Sequence, residues 1–172
     1  MGTFKDSYER YNEFKNGLQP VIVESIQNNG SEAVEFIREQ LYSGVDGDEK
    51  VLSPSYSSDP FFQSPEAGHW KNNGKGYAKW KKTIQPPTSS YLGFGPRNMD
   101  TPNLIIVGNF YESIKSTLIE NGIHIHSTGV HFARDIESKY GDVIYKLSPR
   151  AKKFFWDYTL KAVYKSYISK FK

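Results

Sequence analysis

The chain has 172 residues, 22 basic against 19 acidic side chains, and a formal net charge of +3. It has no cysteine, which excludes a disulfide scaffold, a thiolate metal site and a cysteine nucleophile. No run approaches the ~18–20 apolar residues needed to span a bilayer, and Met1 to Arg10 is too charged and aromatic for a signal peptide. A protein made in a reducing cytoplasm is expected.

At this length one domain over residues 1–172 is the default. Apolar residues make up 37% and aromatics 15%, with 12 Tyr, 11 Phe and 3 Trp. Aromatics in so polar a chain suit a small core or a surface buried between subunits. The charge is uneven. Residues 1–44 carry 4 basic and 7 acidic side chains, residues 45–147 carry 11 of each, and residues 148–172 carry 7 basic against Asp157 alone. Such ends pair between copies, face nucleic acid, or form solvated helix faces.

In chain order, Phe4, Tyr8, Tyr11, Leu18, Ile22 and Ile26 have helical spacing. Pro20 predicts a break, with one helix ending near Leu18 and a second starting at the proline. Asn28-Asn29-Gly30 then stops the second helix. Ser31 is expected to cap a third, with Ala33, Val34, Ile37 and Leu41 on its apolar face and Gly44 at its end.

Residues 45–97 hold six of the nine prolines among short aromatic clusters. Val45 to Val51 has the pattern of a hairpin tip, and a short helix is expected around Tyr77, Ala78 and Trp80. A stretch this long and irregular is usually functional or disordered, and its aromatics argue against plain disorder. It reads as an extended arm that orders against a neighbour.

The longest aliphatic block, Leu104 to Val107, lies between Thr101-Pro102 and Gly108 and reads as the inner strand of the core. Asn121-Gly122 is a strong hairpin signal, so residues 113–127 read as an antiparallel hairpin beside that strand. Phe132 to Lys139 reads as a short helix ended by Gly141. Ser148-Pro149 then opens a helix that runs to the end of the chain. At ~100° per residue its apolar side chains fall into two opposed patches. One holds Ala151, Phe154, Phe155, Tyr158 and Ala162; the other holds Trp156, Leu160, Val163, Tyr164, Tyr167 and Phe171. Two opposed stripes need two partners, either another subunit or the N-terminal helices.

Few residues look like chemistry. His124, His126 and His131, with Asp135, form the one ligand-like group, but H-x-H is a weak pattern. Asp46, Asp48 and Glu49 lack the spacing of a calcium loop, and Gly74-Lys75-Gly76 lacks that of a phosphate loop. Nothing assembles a nucleophile, a base and an orienting group, so no enzymatic activity and no cofactor are expected. Lys152, Lys153, Lys161, Lys165, Lys170 and Lys172, interleaved with aromatics, give the last helix the makings of sequence-independent phosphate contact.

Four pieces taken in order carry a resemblance. They are Gln40-Leu41-Tyr42-Ser43-Gly44-Val45-Asp46 with Ser53-Pro54-Ser55-Tyr56; Tyr77-Ala78 and Trp80 with Lys81, Lys82 and Pro86; Pro102-Asn103-Leu104-Ile105 with Gly108-Asn109-Phe110-Tyr111-Glu112-Ser113-Ile114; and the hairpin, then Val130-His131-Phe132-Ala133, Tyr140-Gly141 and a closing helix. Over about residues 35–165 the chain resembles the tail-completion or virion-morphogenesis proteins of tailed bacteriophages, which form connector rings between the portal and the tail. The resemblance implies an α+β fold: N-terminal helices, an extended Pro/aromatic-rich arm, a small antiparallel sheet and a long C-terminal helix packed on it. It also implies a structural virion protein of the neck or tail, assembled in the host cytoplasm as a closed ring of roughly 6 or 12 copies. Its partners are further copies and portal, connector or tail proteins.

Intersubunit contacts are expected at Tyr56, Phe61, Phe62, Trp70, Trp80, Trp156, Leu160, Tyr164, Tyr167 and Phe171. The alternatives are a basic DNA-binding protein acting through Lys152, Lys153, Lys161 and Lys165, and a metal hydrolase built on His124, His126 and His131.

Overall fold

The computed structural model describes residues 3–171. Lys172 lies outside them. Helix α1 (Phe4–Asn28) is opened by Thr3, whose hydroxyl accepts the Asp6 N–H while the Asp6 carboxylate accepts the Thr3 N–H. The break expected at Pro20 does not occur. Pro20 and Asn16, whose carbonyl loses its donor, are both exposed, so that carbonyl stays in water. Packing on either side holds the helix together: Phe14 and Gly17 lie against Tyr167, while Ile22 and Ile26 join the core. That outweighs the ~3 kcal/mol a proline costs inside a helix.

The element at the centre is helix α2 (Gly30–Tyr42), not the aliphatic block further on. Gly30, Ala33, Val34, Phe36, Ile37, Gln40 and Leu41 of α2 are all buried. Its N-cap is Asn29 rather than Ser31, because the Asn29 amide donates back to the Ser25 carbonyl and joins the two helices with almost no connection. Two sides of α2 serve two clusters. Val34, Ile37 and Leu41 meet Leu52, Phe110, Tyr111, Ile114 and Ile144. Ala33 and Phe36 meet Leu92, Phe94, Ala151, Phe155 and Leu160.

Residues 45–97 keep an irregular backbone, yet they lie on their own chain and not out from it. Val45 bridges Val51, as the hairpin-tip pattern predicts. Short 3-10 turns at Pro60–Gln63 and Pro65–Trp70 lead into helix α3 (Gly74–Ile84). Tyr56, Phe62, Ala67 and Ala78 form a third buried cluster, and Leu92 and Phe94 reach the second. Each large apolar side chain so covered contributes about 1.5–3 kcal/mol, enough to hold a proline-rich stretch down without a neighbour.

Leu104 to Val107 forms no strand. Leu104 adopts a left-handed backbone (φ 54°) and Gly108 another (φ 96°), which breaks any pleat between them. Ile106 and Val107 are exposed, Val107 at 78%. Pro102 and Asn103 are buried and anchor the start of the loop.

Helix α4 (Asn109–Ser113) runs into β1 (Ile114–Ile119), which pairs antiparallel with β2 (Gly122–Ser127). The hairpin is present, with Glu120-Asn121 as the two turn residues and Gly122 opening β2. Helix α5 (Ala133–Tyr140) ends at Gly141, as expected. Ser148 caps α6 (Pro149–Phe155), its hydroxyl accepting the Ala151 N–H at 3.2 Å. The molecule is therefore α+β and mostly helical.

The final helix resolves the problem of its two patches internally. Trp156–Leu160 is a π turn between α6 and α7 (Lys161–Ser169). The wider turn adds a residue and rotates α7 about the helix axis relative to α6. Ala151, Phe155, Leu160 and Tyr167 thereby become buried along one helix, although a uniform helix would set the first two and last two on opposed sides. Helix α1 covers the far end: Phe14 packs on Tyr167 and Phe171, and the Tyr167 hydroxyl reaches the carbonyls of Glu13 and Phe14. The acidic head and the basic tail thus lie side by side within one chain.

Candidate functional site

The loop from Leu104 to Gly108 forms one wall of the main cavity, an open groove of about 810 Å³. Asn109 and Phe110 extend that side; Phe132, Asp135, Ile136, Lys139 and Tyr140 of the α5 region line another. Tyr56, Asp59, Pro60, Phe61, Tyr77 and Lys81 close the third. Each wall has a local cause. The positive φ at Leu104 turns the loop outward. Asp59 caps its 3-10 turn through the Phe61 N–H and binds Lys139 at 2.6 Å, tying that turn to α5. Gly74 lets α3 sit directly on the Tyr56 backbone, where a Cβ would collide with the Tyr56 carbonyl.

The lining is mostly apolar, and the polar groups in and behind it are unusual. Lys81 is 2% exposed, and its Nζ has no acceptor. Burial, and after it the charge of Arg97, bring its ammonium down to about 8 from 10.5. Arg97 is also buried; its Nη2 donates to the Gln85 carbonyl at 2.6 Å while its Nε has no acceptor. Asn103 is fully buried. Its carbonyl accepts the Tyr111 hydroxyl and its Oδ1 the Tyr56 hydroxyl, but its Nδ2 is unpartnered. Burial pushes the Tyr56 hydroxyl up to about 12, and raises Tyr77 and Tyr140 further.

The signal for Lys81 is present in the sequence. Gly74, Ala78 and Lys81 are spaced i, i+4, i+7 and share the buried face of α3. Taken with Lys79 and Lys82 as one basic segment, it passes for a solvated lysine.

The side chains expected to meet other subunits divide. Tyr56, Phe62, Leu160 and Tyr167 are buried in their own chain and have no free surface to offer. Phe61 (45% exposed) and Trp156 keep open surface, while Trp70, Trp80, Tyr164 and Phe171 are half-buried. Trp70 and Trp80 lie near each other at 5.5 Å, and Trp156 lies 5.6 Å from Tyr164.

His124 and His126 stack on the hairpin at 4.9 Å, and His131 lies beyond it against Phe132. Among the described residues no group of three or more His, Asp or Glu is placed to hold a metal ion. Lys152, Lys153, Lys161 and Lys165 are all exposed, but Asp157 engages both Lys153 (2.5 Å) and Lys161 (3.2 Å). No helix among the described residues is long and apolar enough to cross a membrane. No protein family, curated protein or solved structure matches the chain.

Proposed function

We propose that this chain is a structural virion protein of a tailed phage, working in the neck or tail as one member of a ring that joins the head to the tail. The observation that carries this reading is a pair of separate, unpartnered apolar surfaces. One is the start of α1, where Phe4 (89%), Tyr8 and Tyr11 (59% each) are exposed at i, i+4, i+7. The other is the groove rim of Phe61, Ile106 and Val107. They belong to different elements, so association through them is head-to-tail, and a head-to-tail contact whose rotation closes gives a ring. The ordered motifs from Gln40 to Tyr140 support the same reading.

Function on this reading lies in shape and self-association, with roughly 6 or 12 copies around the channel, and with portal, connector or tail proteins as neighbours. Native mass spectrometry and electron micrographs of the purified chain at micromolar concentration test it. A ring with a central channel is the expected result. A strictly monomeric chain, monomeric also with its neighbouring virion proteins present, overturns it.

A further inference from the structure

We propose that the groove binds a single-chain anionic amphiphile, with its acidic head at Lys81 and its aliphatic tail along Ile105, Phe110, Phe132 and Ile136. Among the described residues four buried side-chain nitrogens have no hydrogen-bond partner, and three of them are Lys81 Nζ, Arg97 Nε and Asn103 Nδ2. As an ammonium, a guanidinium and an amide, all three are donors. Buried donors are almost always satisfied, and what this set lacks is an acceptor.

Of the acids in the same region, Asp135 is exposed on the groove lining, and none accepts from these three nitrogens. Asp59 is held by Lys139 and the Phe61 N–H, and Asp100 by the hydroxyl and N–H of Ser57. The three donors therefore have no acceptor among the described residues, and an anionic oxygen supplies one together with a charge opposite to those of Lys81 and Arg97.

The remaining walls determine the rest of the ligand. A volume of about 810 Å³ suits a small molecule. The side chains of Leu104, Ile105, Ile106, Phe110, Phe132 and Ile136 offer the tail contact without hydrogen bonds. An extended peptide would bring an N–H and a C=O at every residue, most of them unmet by such a wall. An aliphatic chain brings none. This binding does not rest on the ring, but Phe61, Ile106 and Val107 bound the groove mouth as well as the proposed subunit surface, so the titration is made at a concentration where the chain is unassociated.

Calorimetric titration with dodecanoate, dodecanol and acetate tests it on the full chain. Dodecanoate is expected to saturate at one per chain. Dodecanol, which keeps the tail, and acetate, which keeps the head, are each expected to bind about tenfold more weakly or worse, the scale of one charge-assisted hydrogen bond. Lys81→Met is expected to cost dodecanoate a similar factor and to leave dodecanol unchanged. Val107→Asp, at an exposed position on the rim, leaves the fold intact and weakens dodecanoate by placing a like charge at the mouth. Absence of saturable binding overturns the proposal, as does equal affinity for dodecanoate and dodecanol. Undiminished binding to Val107→Asp overturns it too, and that readout stands even where Lys81→Met does not fold.

Discussion

The side-chain amide of Gln40 holds Ser148 in place across 108 residues of sequence, its Oε1 accepting the Ser148 N–H at 3.0 Å. Its Nε2 donates to the Lys146 carbonyl at 2.6 Å, so one buried side chain takes the part of a missing strand for the segment that leads into α6. Ser148 in turn caps α6. Gln40→Leu fills the same space and leaves the buried Ser148 N–H and the partly buried Lys146 C=O unpaired. The expected cost is about 2–4 kcal/mol, from ~1–3 kcal/mol for the orphaned N–H and ~1 kcal/mol for the carbonyl, which solvent partly reaches. Urea denaturation checks it, and a loss under ~0.5 kcal/mol, the range of ordinary surface changes, contradicts the assignment.

Gly74 brings the start of α3 directly against the segment before it. A Cβ there would run into the carbonyl oxygen of Tyr56 and crowd the Ser57 Cα. Backbone does not swing aside as a side-chain end does. At the first position of α3, Gly74→Ala gains less than the ~1 kcal/mol of helix propensity an interior site would give and destabilises by about 1–3 kcal/mol for overpacking. Because Gly74 positions Tyr56 against α3, the variant also loosens the groove wall, which shows as faster amide exchange over residues 56–81 measured by mass spectrometry.

Legibility in the sequence tracks how local each cause is. The hairpin, the Ser148 cap and the Gly141 stop are set by two or three adjacent residues, and all three are in place. Pro20 misleads because contacts from Tyr167, 147 positions further on, hold the helix through it (167 − 20). Leu104-Ile105-Ile106-Val107 has strand composition, but Leu104 takes a positive φ next to the fully buried Asn103, and no pattern in the sequence shows either. The π turn changes periodicity in mid-helix, so a uniform helical wheel makes two stripes out of one. The groove is the least legible feature, since it is assembled from three separate stretches and its Lys81 resembles its solvated neighbours.

Stability should rise with pH where Lys81 titrates. Its folded value of about 8 lies below the unfolded 10.5. Between those values the unfolded chain holds a proton that the folded chain has released, so raising the pH favours folding. Below about 8 the ammonium is charged in both states, and the burial penalty is fully present. The charged and titratable groups about it are Arg97, Tyr56, Tyr77, Tyr140, Asp59, Asp135 and Lys139. The tyrosines oppose the trend only above about 10, where the unfolded chain ionises and the folded one, with Tyr56 near 12, does not. Thermal unfolding should therefore show a maximum near pH 9–10. The full shift is worth about 3 kcal/mol at ~1.4 kcal/mol per pH unit. Lys81→Met should flatten the rise between pH 7 and 9.5 and raise stability at neutral pH. An unchanged profile in that variant rules out Lys81 as its source.

The exposed start of α1 separates assembly from folding. Phe4, Tyr8 and Tyr11 touch little of their own chain, whereas Phe14, one turn on, is fixed by Tyr167 and Phe171. Replacing Phe4, Tyr8 and Tyr11 together with serine should shift unfolding free energy by no more than ~0.5 kcal/mol per site. The same triple variant should lose its self-association, because removal of one patch of a head-to-tail contact leaves every copy without a donor for the next. Sedimentation velocity on the variant and the parent chain at matched micromolar concentration reads both outcomes. If the variant assembles as the parent does, the contact lies elsewhere, and the rim of Phe61, Ile106 and Val107 is then the surface to change.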